Sequence, residues 1–347
     1  MEFYLILVFI LILLSGFSKH LRFIGSAIFF VLLAIIMFRA PEVGTDTKSY
    51  LQHFYIGYGS QNFSVKNFEF VYIWVVRLLS NTVSTPQFVL YFLAVTTLCF
   101  LRTAFSRLEI DLGIGLMFFV LSGIYFYAFN GSRQIASVSI LLFAYTCLIR
   151  DEKNSKIYFL LATLLAASIH ISSIFYIFLV FLPTRLMNFK LVLIAFIVSS
   201  VIFLFEMSFI SKYVIGLVGD YYLTYSDVLE VSNSTSLSGK IFYLLIAINQ
   251  FIIYIKVKDR LDPKLVNLYV LSIILFLLFR NMHPLISRIL YGITIIQVVV
   301  MSKIFDKKYV KEYIFLASIM ILQIYSLIDM LNLNVGEIIP YRFYFPF

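Results

Sequence analysis

The stretch 129-FNGSRQIASVSI-140 sets Arg133 among Asn130, Ser132 and Gln134, where a helix begins. Apolar runs lie on both sides, 112–129 before it and 133–149 after it. An arginine costs about 3 kcal/mol or more at the centre of a bilayer and far less at its interface. The junction of two spans therefore puts Arg133 at a membrane interface. A helix N-terminus there presents unpaired backbone N–H groups and the positive end of the helix dipole, which favour an anion. Two readings follow: an arginine snorkelling to lipid headgroups, or part of an anion site.

The rest of the chain supports the membrane reading. Of its 347 residues 62% are hydrophobic and 13% charged, with mean hydropathy +0.97. A soluble domain of this size exposes far more charge. Apolar runs near the roughly 20 residues that span a bilayer recur throughout, at 4–17, 22–38, 86–101, 112–129, 133–149, 190–206, 241–257, 265–280, 286–302 and 313–331. The expected fold is all-α, a polytopic integral membrane protein forming one transmembrane domain over 1–347. Segments alternating in the manner of a transmembrane β-barrel are lacking. The first run follows only Met1 and Glu2, without the basic start of a signal peptide, and reads as a retained helix. Cys99 and Cys147 lie inside apolar runs and read as packing residues.

Basic loops orient the spans. The segments 18–22, 102–111, 150–156, 183–190, 256–264 and 303–312 are short, yet hold 17 of the 27 basic residues, and should be cytoplasmic. Two runs resist simple assignment. The run 69–80 is too short to cross comfortably, and 157–182 is too long for one straight span and carries 168-SIHISS-173 inside it. Parity is satisfied when 69–80 is interfacial or re-entrant and 157–182 is a hairpin turning near His170. That gives about twelve crossings with both termini outside, and two larger outer segments, 39–70 and 207–240.

The polar residues left outside are the candidates for chemistry. Arg133, Arg280 and Arg288 suit phosphate, which a guanidinium grips with two parallel hydrogen bonds. His170, Asp46 and Glu69 can accept a proton or orient a hydroxyl. Each has a plainer reading: Arg133 as a snorkel, His170 as a packing residue, Asp46 and Glu69 as helix caps. Together they suit an anionic lipid headgroup beside a sugar-like acceptor, with aromatic and amide side chains to hold the sugar. The chain carries no Walker loop, zincin motif, cysteine cluster or dinucleotide turn, so no cofactor, metal or nucleic acid is expected.

The order 44-GTDTKSY-50, 69-EFVY-72, 132-SRQIA-136, 168-SIHISS-173, a late loop with Arg280, His283 and Arg288, and 340-PYR-342 resembles the EpsG-type family of Wzy-related polysaccharide polymerases. The resemblance implies a glycosyltransferase of GT-C-like architecture in the bacterial cytoplasmic membrane, with its site facing outward. It would be inverting and metal-independent, and would join undecaprenyl-pyrophosphate-linked repeats of an O-antigen, capsule or exopolysaccharide. Arg133, with Arg280 and Arg288, would bind pyrophosphate. His170, Asp46 or Glu69 would serve the acceptor hydroxyl. Tyr50, Tyr72, Gln134, His283, Tyr341 and Arg342 would contact substrate. The partners implied are the lipid-linked donor and acceptor and the bilayer, with a chain-length regulator and a flippase alongside. Two alternatives remain open on the residues alone. One is a lipid-linked oligosaccharide flippase or other transporter, which should show internal repeats. The other is a membrane O-acetyltransferase, which needs an acyl donor from the cytoplasm.

Overall fold

A computed structural model describes residues 1–59, 69–205, 237–280, 289–306 and 313–344. The chain forms two compact units. The first comprises Met1–Val180, Val298–Val310 and Met320–Phe347; the second comprises Phe181–Gln297 and Lys311–Ile319. Among the described residues the regular structure is helical: α1 Glu2–Ser18, α2 Arg22–Met37, α3 Thr47–Gly59, α4 Phe70–Thr82, α5 Gln87–Arg107, α6 Leu112–Leu121, α7 Ile124–Tyr127, α8 Ser132–Arg150, α9 Ser155–Ala167, a 3-10 helix Ile171–Phe181, α10 Phe189–Phe205, α11 Leu237–Val257, α12 Pro263–Phe279, α13 Tyr291–Asp306 and α14 Tyr313–Asn332.

Among the described residues, four helices are long and apolar enough to cross a membrane: α5, α8, α11, and α14 over Ile314–Asn332. The 21 residues of α5 span about 31 Å at 1.5 Å per residue, close to the thickness of the hydrocarbon core. Shorter apolar helices, α1, α2, α10, α12 and α13 among them, accompany these four. This is an all-helical membrane architecture.

The centre of the first unit is α8. Its residues are buried almost all round, as expected of a helix without a polar face, and it packs between α5 and α9. Its buried hydroxyls are satisfied within the helix or by its neighbour. Ser139 donates to the Ile135 carbonyl at 2.9 Å, Thr146 to Phe143 at 2.7 Å and Ser137 to Ala166 at 2.8 Å.

The run 157–182 divides in two. Ser137, near the start of α8, meets Ala166 on one side and the Ser173 hydroxyl on the other. Two turns further along, the ring of Tyr145 faces both Phe159 and Tyr176, each at 6.4 Å. Moving along α8 thus means moving backward through α9 and forward through the 3-10 helix. The chain therefore reverses between them, at 168-SIH-170.

Several boundaries differ from the sequence reading. The run 112–129 is not one helix. It stops at Leu121, and Gly123 adopts φ +78, a left-handed conformation that side-chain-bearing residues resist, before α7 begins. The segment 102–107, read as loop, continues α5. Arg107, in its last turn, reaches Thr146 at 2.8 Å and Glu152 at 3.0 Å with its side chain. Cys147 is buried, whereas Cys99 is exposed on α5. The segment 207–240 lies outside the described residues up to 236, and its last residues begin α11.

The connection between α2 and α3 is sewn to the end of the chain. Ala40 N–H donates to the Arg342 carbonyl at 2.8 Å, Tyr344 N–H to Phe38 at 2.7 Å and Gly44 N–H to Glu337 at 3.0 Å. Arg39 and Phe343 form an antiparallel bridge. In the second unit α12 packs on α10 and α11. Its Asn267 amide holds the segment before α10, donating to the Pro183 and Arg185 carbonyls at 3.1 and 2.8 Å.

Candidate active site

The FNGSRQ turn is fixed before its arginine is aimed. Tyr127 O accepts the N–H groups of Asn130 and Gly131, ending one helix before α8 starts. The Asn130 side chain then accepts Thr45 N–H at 2.8 Å, tying 44-GTDT-47 to the turn. Gly44 sits there with φ +93, against the Phe129 carbonyl, where a Cβ would collide.

Arg39 lies beneath this junction, 1% exposed. It donates to Ile36 O at the end of α2, to Thr47 Oγ1 at the start of α3 and to Ser132 Oγ at the start of α8, each at 2.9 Å. Its guanidinium lies 5.4 Å from the Phe129 ring centre. Burial pulls its pKa down to about 10, against the opposing pull of Tyr50, Tyr341, Tyr125 and Tyr4. One buried cation thus joins three helix ends.

Arg133 is held where α3, α4 and the His170 reversal converge on α8. Its NH1 lies 2.5 Å from Glu69 Oε2, with the two side chains only 16% and 13% exposed. The guanidinium lies 4.8 Å above the Tyr72 ring centre, within range of a cation–π contact. The Tyr50 hydroxyl stands 3.5 Å from the Arg133 backbone N–H. Arg133 is therefore ion-paired and largely enclosed.

Glu69 occupies the N-cap position of α4 but does not cap it with its side chain. Its carboxylate turns to other segments: Oε1 accepts Ile171 N–H at 2.8 Å and lies 3.4 Å from His170 Nδ1. Burial pushes the Glu69 pKa up. The His170 contact, the Arg133 charge and the Ile171 N–H outweigh that and hold it below the ordinary carboxylate value. Such a carboxylate orients partners well and is a weak base. Asp46 is half-buried just ahead of α3, and its carbonyl accepts Tyr50 N–H at 3.0 Å. Its charge acts on Tyr50 from one side and that of Arg133 from the other.

The fold therefore brings together Arg133, Glu69, His170, Tyr50 and Tyr72, and places Asp46 beside Tyr50. Gln134 is buried on α8 next to Arg133. Tyr341 is half-buried below the same junction, donating to Ile35 O at 2.8 Å and stacking on Phe3 at 4.7 Å. The Arg342 side chain is exposed, while its carbonyl pairs with Ala40. Arg280 belongs to the second unit, where it donates to Tyr243 at 2.8 Å and lies 4.6 Å over that ring. His283 and Arg288 lie outside the described residues.

Two residues of this region escaped the sequence reading. Arg39 stood only as the first residue of the segment 39–70. His53 follows Tyr50 by three residues, which puts both on one face of α3. It is 7% exposed, and its Nδ1 lies 2.8 Å from the Tyr72 hydroxyl.

A family model described as the EpsG family matches residues 22–343. No curated protein and no solved structure matches the chain.

Proposed function

Because the chain belongs to the EpsG family of Wzy-like polysaccharide polymerases, we propose that it polymerises oligosaccharide repeats carried on undecaprenyl pyrophosphate. The growing glycan is the donor and a new lipid-linked repeat is the acceptor. The reaction runs at the outer face of the bacterial cytoplasmic membrane, in a bundle of about twelve crossings.

A sugar hydroxyl of the acceptor attacks the donor's anomeric carbon. The bond from that carbon to the pyrophosphate oxygen breaks, and the pyrophosphate lipid leaves with the electron pair. The hydroxyl proton passes to a base. Charge develops on the leaving oxygens, and a preorganised cation in a partly dry site stabilises it most effectively. Arg133 is that cation, held in orientation by Glu69. The Glu69 carboxylate is engaged by Arg133 and by the Ile171 N–H, which favours His170 as the base. Asp46 is the rival. Tyr50, Tyr72, Gln134, Arg280, His283, Arg288, Tyr341 and Arg342 remain assigned by resemblance. The donor bond is already activated, so no nucleotide is required. A flippase and a chain-length regulator would act before and beside this step.

The observation that carries this reading is the convergence of Arg133, Glu69 and His170 from three separate segments around one partly exposed cluster. The test is to isolate single lipid-linked repeats from cells lacking the protein and incubate them with the purified protein. A ladder of longer chains without nucleotide supports polymerisation. Repeats trapped on the inner side of the membrane in those cells would point to a flippase instead.

A further inference from the structure

We propose that His53 is a positioning residue for Arg133, acting through the two tyrosines that surround the guanidinium. The inference rests on the role given above to Arg133.

His53 is in contact with both tyrosines. Its ring meets Tyr50 edge-on at 5.9 Å and Tyr72 at 5.8 Å. Its Nδ1 lies 2.8 Å from the Tyr72 hydroxyl, and its Nε2 lies 3.4 Å from Ser49 Oγ. Tyr72 is fully buried, with its ring face under Arg133, and Tyr50 approaches the Arg133 backbone from the other side. A hydroxyl buried this completely requires a partner, because an unsatisfied one costs about 1–3 kcal/mol.

The chemistry of the ring fits this task. Burial and the nearby Arg133 charge bring the His53 pKa down to about 4, so the imidazole stays neutral under working conditions. A neutral ring has one acceptor and one donor. Nδ1 can accept from the Tyr72 hydroxyl while Nε2–H points at Ser49. A cationic side chain here would repel Arg133, and an apolar one would take away the hydrogen bond that His53 makes with the hydroxyl. The hydroxyl bond fixes the tilt of the Tyr72 ring, and a cation–π contact depends on that face lying under the charge. His53 lies behind the tyrosines, so its effect is on geometry and not on substrate contact.

The test is steady-state chain extension with lipid-linked repeats from cells lacking the protein, comparing His53→Ala, Tyr72→Phe, their combination and Arg133→Ala. Losing the His53–Tyr72 bond should lower kcat about tenfold with KM nearly unchanged. The double variant should be no worse than either single one, since both remove the same bond. An Asn at position 53 places its amide where Nδ1 stood and should restore most activity, whereas His53→Gln reaches only the Nε2 position and should not. Tyr72→Phe keeps the ring and the packing, so it reads the bond even where His53→Ala folds poorly. Wild-type kcat in Tyr72→Phe beside an inactive Arg133→Ala overturns the inference, as do additive losses in the double variant. An active Arg133→Ala overturns the role of Arg133 itself.

Discussion

Glu69 Oε2 and Arg133 NH1 meet at 2.5 Å across 64 residues of chain. The carboxylate joins the residue ahead of α4 to the start of α8, a helix buried almost all round. Its other oxygen takes Ile171 N–H at the turn after α9, so one side chain fixes three pieces of the site.

Glu69→Gln removes the negative charge that faces a largely enclosed guanidinium. It should lower stability by about 2–4 kcal/mol and depress chain extension. The Glu69 pKa is lowered in the folded protein, so its contribution is complete above its unfolded value near 4.5 and fades as pH falls through the lower folded value. Thermal unfolding in detergent should show wild-type stability falling on acidification through this range, with Glu69→Gln lacking that component. Identical pH profiles for the two proteins would contradict the pairing.

Arg39 separates stability from activity in the opposite sense. Its charge is buried against neutral acceptors, and among the described residues no carboxylate pairs with it. A hydrophobic side chain of similar volume in place of such a charge is often neutral or stabilising. Arg39→Met should keep or raise Tm, yet lose activity, because the starts of α3 and α8 are no longer pinned together. Arg39→Lys should also be impaired, since an ammonium cannot reach three acceptors as a planar fork does. Activity equal to wild type in both variants would show that the junction positions nothing.

Gly44→Ala tests the same junction from the backbone. The left-handed φ at Gly44 costs other residues about 1–2 kcal/mol, and the added Cβ runs into the Phe129 carbonyl. Chain extension should fall by at least about tenfold. An unimpaired Gly44→Ala protein would argue against a fixed contact between GTDT and FNG.

Much of this was legible in the sequence, and what was missed has a physical pattern. Hydropathy located most of the apolar helices but not α3, which lies in the polar segment 39–70, and the His170 interruption marked the reversal seen in the contacts of Ser137 and Tyr145. The break at Gly123 was hidden because the residues on both sides stay apolar, and periodicity cannot report one left-handed residue. Among the candidate residues, Arg133, Glu69 and His170 stood out as polar residues at the ends or breaks of apolar runs, whereas Tyr50 and Tyr72 came from the family resemblance. Arg39 and His53 did not, because their importance lies in partners remote in sequence: Ser132 lies 93 residues from Arg39, and Tyr72 lies 19 from His53.

Orientation is tested by single cysteines in a cysteine-free background. Cysteines at positions 153 and 308 should be shielded from impermeant thiol reagents in intact cells, and cysteines at 60 and 232 should label. Labelling at 153 would reverse the topology and remove the outward-facing site.

The most direct test of the central claim is chain extension by Arg133→Lys. Pyrophosphate stabilisation needs the planar fork of a guanidinium, locked by Glu69 on one side and Tyr72 beneath. The lysine variant should insert and fold normally, yet lose about 30- to 1000-fold in rate, nearly as much as Arg133→Ala. Full ladder formation by Arg133→Lys would contradict the account and leave a charge of any shape sufficient at this position.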